Sequence, residues 1–222
     1  EHNEASAAQT LITHLQNGEH IALITDAGTP GISDPGEELA AMCYDAGIEV
    51  TSLPGPAACI TALTLSGLST RRFAFEAFLP MDKKERREIL DELVNETRTI
   101  IMYEAPHKLV RTLKDLKETL GNRRMTLCRE LTKKHETAFH TTIDELIIRY
   151  ENEKPLGECV LVIEGKSRQE LKEEEMASWE EISIEEHMGI YEKQGFSRKD
   201  AMKKVAKDRG VSKREIYQYL VQ

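Results

Sequence analysis

Residues 25–38, TDAGTPGISDPGEE, end an apolar run and set Gly28, Gly31 and Gly36 among two prolines before charge resumes. Glycine tolerates positive φ and lets a ligand approach the main chain, and a helix starting at Pro35 would aim its free N–H groups into the same loop. At the carboxyl end of a strand, such a loop suits a small molecule held by backbone groups. The residues after Gly31 lack the lysine of a GxxxxGK[ST] phosphate loop, and a GxGxxG dinucleotide fingerprint is missing too. A tight Gly/Pro turn with no ligand also accounts for the loop taken alone. Metal chemistry finds little support. Cys43, Cys59, Cys128 and Cys159 form no CxxC pair and the seven histidines no HxxxH pair, so the cysteines read as buried reduced thiols, as in a cytoplasmic protein.

The flanking sequence must position that loop. A helical pattern over 5–17 stops at Gly18, and 20–25 reads as a buried strand. The next helix is expected after Asp34, with Pro35 at its first position and Glu37 completing a capping box, and it ends before Gly47. Residues 48–53 read as a strand, followed by a Pro54-Gly55-Pro56 turn and a helix over 57–66. This alternation favours a mainly parallel sheet covered by helices. Further strands are expected at 73–78, 99–103, 125–129 and 158–164, and 80–85 reads as a link. One helix carries Ile89, Leu90, Leu93 and Val94, the next carries Leu109, Leu113, Leu116 and Leu120, and a shorter one follows Thr142, with Glu145 as its capping-box partner.

A chain of 222 residues can bury a substantial core and divide into more than one domain. No apolar stretch approaches the roughly 18 residues of a membrane span, and the first residues given show no signal-peptide pattern. The formal charge of -9 hides an asymmetry: from residue 191 to 222, nine Lys or Arg face four Asp or Glu. Residues 173–186 are acidic and read as a linker. GFSRKDAMKKVAKDRGVSKREIYQYL then shows two capped helices, Ser197 with Asp200 and Ser212 with Glu215, whose Met202, Val205, Ala206, Val211, Ile216 and Leu220 would meet across Gly210. That spacing is of helix-turn-helix type, and a helical hairpin used only for packing fits it equally.

TDAGTPGISDPGEE, LPGPAA, ALTLSGLSTRRFAFEAFLP, YEAPHKLVRTLKDL, RELTKKHE and GECVLVIEG, in that order, closely resemble the tetrapyrrole methylase superfamily, and within it the ribosomal RNA branch. The likeness is strong over 5–164 and looser over the tail. DAGTPGISDPG together with YEAPH sets this branch apart, because corrin and porphyrin methylases generally carry a GDP-type sequence where this chain has Gly28, Thr29 and Pro30. The resemblance implies two α/β domains, 1–79 and 80–166, with S-adenosylmethionine held between them. An acidic linker and a small helical domain over 167–222 follow.

The implied activity is 2′-O-methylation of a cytidine ribose in small-subunit (16S) rRNA by a cytoplasmic homodimer. The implied cofactor residues are Asp26, Ala27, Gly28, Thr29, Ile32, Ala57, Ala58, Met102, Tyr103, Leu131, Gly157 and Glu158. A ribose hydroxyl attacks well only as its proton leaves, so a base is wanted, and Glu104, His107 and Glu130 are the candidates. Lys133 and Lys134, and in the tail Arg198, Lys199, Lys203, Lys207, Lys213 and Arg214, are expected to grip RNA phosphates. The family pattern begins with a strand, a PTPIGNL-like loop and an AEDTR-like strand that would precede Glu1, so a leading segment is expected upstream. Two other readings stand beside this one: a tetrapyrrole methyltransferase, and a ligand-sensing helix-turn-helix DNA-binding protein.

Overall fold

In the computed structural model, which describes residues 4–221, the chain divides into two units, Glu1–Gly165 and Lys166–Gln222. The first opens with three helices, α1 (Glu4–Gln16), α2 (Glu37–Asp45) and α3 (Ala58–Leu65). Strand β1 (Phe73–Phe78) follows, then α4 (Lys83–Glu92), β2 (Thr99–Glu104), α5 (Leu109–Leu120), β3 (Arg124–Arg129), β4 (Thr137–Thr142), α6 (Ile143–Asn152) and β5 (Cys159–Ile163). Short 3-10 turns, Leu93–Asn95 and Pro106–Lys108, follow α4 and β2.

The five strands form one sheet in the order β1-β2-β5-β3-β4. Only β1 and β2 are parallel; the β2/β5, β5/β3 and β3/β4 pairs are antiparallel, which corrects the expectation of a mainly parallel sheet. Strand alternation sends Ile100, Met102, Leu127, Leu161 and Ile163 to one face, where the buried leucines of α5 and Ile143 and Leu146 of α6 cover them. Ile101, Cys128, Val160 and Val162 face the other way, against Cys59, Ala62 and Leu63 of α3.

Two apolar runs behave differently from expectation. Residues 20–25 and 48–53 take no strand assignment, and Ile24 and Leu53 are each 83% exposed. A buried strand needs a neighbouring edge as well as an apolar run, and neither segment finds a ladder partner among the described residues. The expected Asp34–Glu37 capping box is also absent. Helix α2 begins two residues later than expected, at Glu37, with Gly36 at φ 143 as N-cap, a position where a Cβ would sit 2.6 Å from Leu23 Cδ2. Its other end is as expected: Gly47 at φ 68 and the Ile48 N–H to Cys43 O bond of 2.8 Å form a Schellman stop.

Strand β4 was not foreseen, and α4 starts inside the expected link, at Asp82, whose Oδ1 accepts from the N–H groups of Lys84 and Glu85. The Thr142–Glu145 capping box forms as expected.

The second unit contains α7 (Arg168–Glu180), α8 (Ile184–Lys193), α9 (Arg198–Asp208) and α10 (Lys213–Val221). The acidic stretch expected as linker is largely helical, since Ser167 and Glu170 form a capping box that starts α7. Met188, Ala201, Val205, Ala206 and Ile216 make the core of this unit. Val211, expected inside, is 40% exposed. Its N–H instead closes α9 by bonding Ala206 O at 2.9 Å, with Gly210 at φ 65. Among the described residues no helix is long and apolar enough to cross a membrane.

Candidate functional site

The sheet order sets where chemistry can gather. Strands β1, β2 and β3 all end where β5 begins, so Phe78, Glu104, Glu130 and Glu158 lie at one end of the sheet. Helix α3 starts at the same end. Its N-cap, Ala57, has no side chain able to accept a hydrogen bond, and Tyr103 of β2 supplies the acceptor: Cys59 N–H donates to Tyr103 Oη at 3.0 Å. Burial first, then the partnership with Cys59, pushes the Tyr103 phenol up to about 12, so it stays protonated. Asp34 of the glycine loop adds to the same shift through its charge.

The two glycine-proline loops meet. Thr29 Oγ1 donates to Pro56 O at 2.9 Å, and a Cβ on Gly55 would fall 2.8 Å from that hydroxyl oxygen. Gly28 and Gly31 have φ of 86 and 79, as the loop chemistry predicted. Ala57, Tyr103 and Leu131 pack into one apolar cluster, which places three of the expected cofactor residues together. Asp26, Ala27, Gly28 and Ile32 stay exposed on the loop, and Ala58 is the exposed first residue of α3. Met102 is fully buried on the opposite face from Tyr103, so only its main chain can reach a ligand on the α3 side.

A third group stands at the end of β3. Glu130 N–H donates to Glu158 O at 3.1 Å, and Glu158 N–H donates to Glu130 Oε1 at 2.9 Å. Lys133 Nζ reaches Glu158 Oε2 at 2.8 Å and Glu130 Oε1 at 3.3 Å. The Glu158 N–H, then Lys133, holds the Glu130 carboxyl below the usual range. Gly157, at φ 79, is required here because a Cβ would lie 2.7 Å from Glu130 Cδ. Lys134 is exposed nearby in sequence, whereas Lys133 is engaged with these two carboxylates.

The remaining base candidates occupy different surroundings. Glu104 is 4% exposed and faces α5: its Oε1 accepts from Ala105 N–H at 2.8 Å and its Oε2 from Thr112 Oγ1 at 2.5 Å. Thr112 in turn accepts from Arg86 Nη2 at 2.8 Å, and Arg86 pairs with Asp115 at 2.7 Å. His107 is exposed, in the 3-10 turn that follows β2.

Four non-glycine residues among those described have positive φ: Ser33, Ala77, Glu130 and Thr132. All four fall in the segments just described, the glycine loop, the end of β1 and the β3–β4 connection, and such strain gathers at binding sites. Sequence reasoning missed the aromatic pair Phe75 and Phe78, whose rings meet Tyr103 at centroid distances of 5.0 and 5.5 Å. The signal was present, because the Phe73, Phe75, Phe78 spacing breaks the two-residue period of a strand.

The donor set of this end is mostly main chain, with carboxylates nearby and apolar walls. Lys133, the cation anchored there, already holds two carboxylates. That chemistry fits a ligand with a zwitterionic tail and an uncharged ring better than a polyphosphate. In the second unit, Arg198, Lys199, Lys203, Lys207 and Arg214 are exposed and Lys213 is half-buried. Lys203 lies 3.6 Å from Asp200.

The profile of the family described as Tetrapyrrole (Corrin/Porphyrin) Methylases matches residues 1–147. A protein named ribosomal RNA small subunit methyltransferase I from Synechocystis sp. is 42% identical over 219 residues, covering 98% of this chain and 77% of its own. The protein of that name from Bacillus subtilis is 44% identical over 217 residues, covering 98% and 74%. Among solved structures, the methyltransferase CobJ superposes with a TM-score of 0.54 at 20% identity, over 72% of this chain and 70% of that one. A uroporphyrin III C-methyltransferase from Thermus thermophilus gives 0.52 at 18% identity, over 73% of each chain. At those identities the likeness concerns the fold.

Proposed function

The chain belongs to the tetrapyrrole (corrin/porphyrin) methylase family, and on that premise we propose that it is an S-adenosylmethionine-dependent methyltransferase that methylates the 2′-hydroxyl of a cytidine ribose in small-subunit rRNA. The observation that carries the reading is the joining of the two glycine loops at the start of α3, where Thr29 holds Pro56 and Tyr103 holds Cys59. The names borne by relatives more than 40% identical over nearly the whole chain support RNA over a macrocycle as substrate. The basic tail supports it too, since a tetrapyrrole has no use for it.

In this reading residues 1–79 supply the cofactor loops and residues 80–166 the cover, and the tail from Arg198 to Arg214 grips RNA. The protein works in the cytoplasm as a homodimer. Backbone groups of residues 26–32 and the first turn of α3 hold the amino acid end of the cofactor, and Tyr103 and Leu131 wall its uncharged part. Bound there, the sulfonium supplies a methyl with a good leaving group, so alignment of the ribose oxygen does most of the work. The ribose oxygen would accept the methyl that the bound cofactor would supply, and its proton must go to a base on the protein. We assign that proton to His107, which follows the end of β2 and is solvent-accessible. Glu104 and Glu130 then act as positioning residues, each already committed to backbone N–H groups.

The test is methyl transfer from labelled S-adenosylmethionine to purified small ribosomal subunits, followed by alkaline hydrolysis. The expected result is one labelled phosphodiester that resists cleavage. Label on a base, or only on an added porphyrinogen, would overturn the assignment.

A further inference from the structure

Strand β1 is not regular. Phe75 pairs with Ile101 and Phe78 with Tyr103, so three steps along β1 match two along β2, and Ala77 within the irregularity has φ 47. In a regular strand, residues 75 and 78 would point to opposite faces of the sheet. The bulge turns Phe78 back to the α3 face, where it and Phe75 both set their rings edge-on to Tyr103, at interplanar angles of 62° and 70°. A left-handed alanine costs on the order of 1–2 kcal/mol, yet the ring it re-aims remains 53% exposed. A bulge serving only the core would bury that ring.

The three rings are graded. Tyr103 is half-buried, tied to α3 and clustered with Ala57 and Leu131, whereas Phe78 is the outer ring, one residue before buried Leu79. An outer aromatic beside a ligand-binding end faces whatever arrives after the inner ligand is seated. Every nucleobase offers a π-face, and in structured RNA the target nucleotide must leave its stack to be reached.

We propose that Phe78 is a substrate-contact residue, and that its exposed ring stacks the base of the nucleotide whose ribose is methylated. This rests on the RNA-ribose reading above. Stacking on an aromatic side chain contributes about 1–3 kcal/mol per base, which is roughly five- to 150-fold in affinity.

Two measurements test it on the full chain. In F78W the new indole, read against the single native Trp179, should be quenched by oligocytidylate and not by an abasic ribose-phosphate chain of equal length. In F78L the KM for small ribosomal subunits should rise about fivefold or more, with unchanged calorimetric affinity for S-adenosylhomocysteine. F78Y should restore the wild-type KM. Equal quenching by both chains, or an unchanged KM in F78L, overturns the proposal. A loss of S-adenosylhomocysteine affinity in F78L would put the cofactor's adenine on this ring and overturns it as well. A wild-type protein that binds S-adenosylhomocysteine but labels no RNA would sink the ribose reading alone, while the quenching measurement still decides whether Phe78 stacks a base.

Discussion

Thr112→Val isolates the buried polar link behind the YEAPH turn. Thr112, Glu104 and Arg86 are 1%, 4% and 7% exposed, and the Thr112 hydroxyl donates to Glu104 at 2.5 Å while accepting from Arg86 at 2.8 Å. Valine keeps the shape and removes both bonds. A hydrogen bond to a charged group is worth about 1.5–3 kcal/mol, so the pair sets a range of roughly 3–6 kcal/mol. Arg86 keeps Asp115 and Glu104 keeps the Ala105 N–H, which places the expectation at the lower end. A loss of about 3 kcal/mol lowers the folding equilibrium on the order of a hundredfold. Equilibrium urea unfolding followed by far-ultraviolet circular dichroism measures it. Thr112→Ser keeps the hydroxyl and gives up one methyl, at a cost of about 1 kcal/mol. Equal destabilisation by valine and serine would refute the reasoning, because only packing would then be at stake.

His107→Ala should lower kcat by about 100-fold or more, the low end of general-base effects, with unchanged cofactor affinity; Glu104→Gln should retain kcat within roughly tenfold, and the reverse order in single-turnover assays would return the base role to Glu104. Gly157→Ala should destabilise by about 1–3 kcal/mol from its positive φ and weaken S-adenosylhomocysteine binding in calorimetry, because its Cβ meets the Glu130 side chain. Glu96 is held down to about 2, first by the hydrogen bond from Arg98, so its stabilisation is complete above the ordinary carboxylate value of 4.5 and is lost as pH falls from there through about 2. Acid titration of stability should show that component in wild type and not in Glu96→Gln.

Local signals in the sequence were read well where the physics is local. The Thr142–Glu145 and Ser212–Glu215 boxes, the glycine stop at Gly47 and the Phe73–Phe78 strand are all present. What the sequence hid depends on distant partners. Strand β4 reads TAFHTT after a run of charges, too polar to signal a strand, and it exists because β3 offers an edge to its full length. Strand direction has no local code, so helix-strand alternation suggested a parallel sheet that β3 and β5 do not build. At the site, the glycine loops announced themselves by composition. The inward turn of Glu104 and the outward turn of Phe78 follow from register, which no window of residues around them specifies.

The order of the sheet also bears on how the chain comes to be made. Among the described residues, Cys159–Ile163 is the last strand in chain order and the middle one in place, lying between β2 and β3. Until it leaves the ribosome, β2 and β3 each lack the neighbour that pairs with their inner edge, so the β1–β2 pair and the β3–β4 hairpin have no strand to join them. The sheet of the first unit is therefore complete only once its central strand is made, and edges left unpaired before then are the kind that invite aggregation.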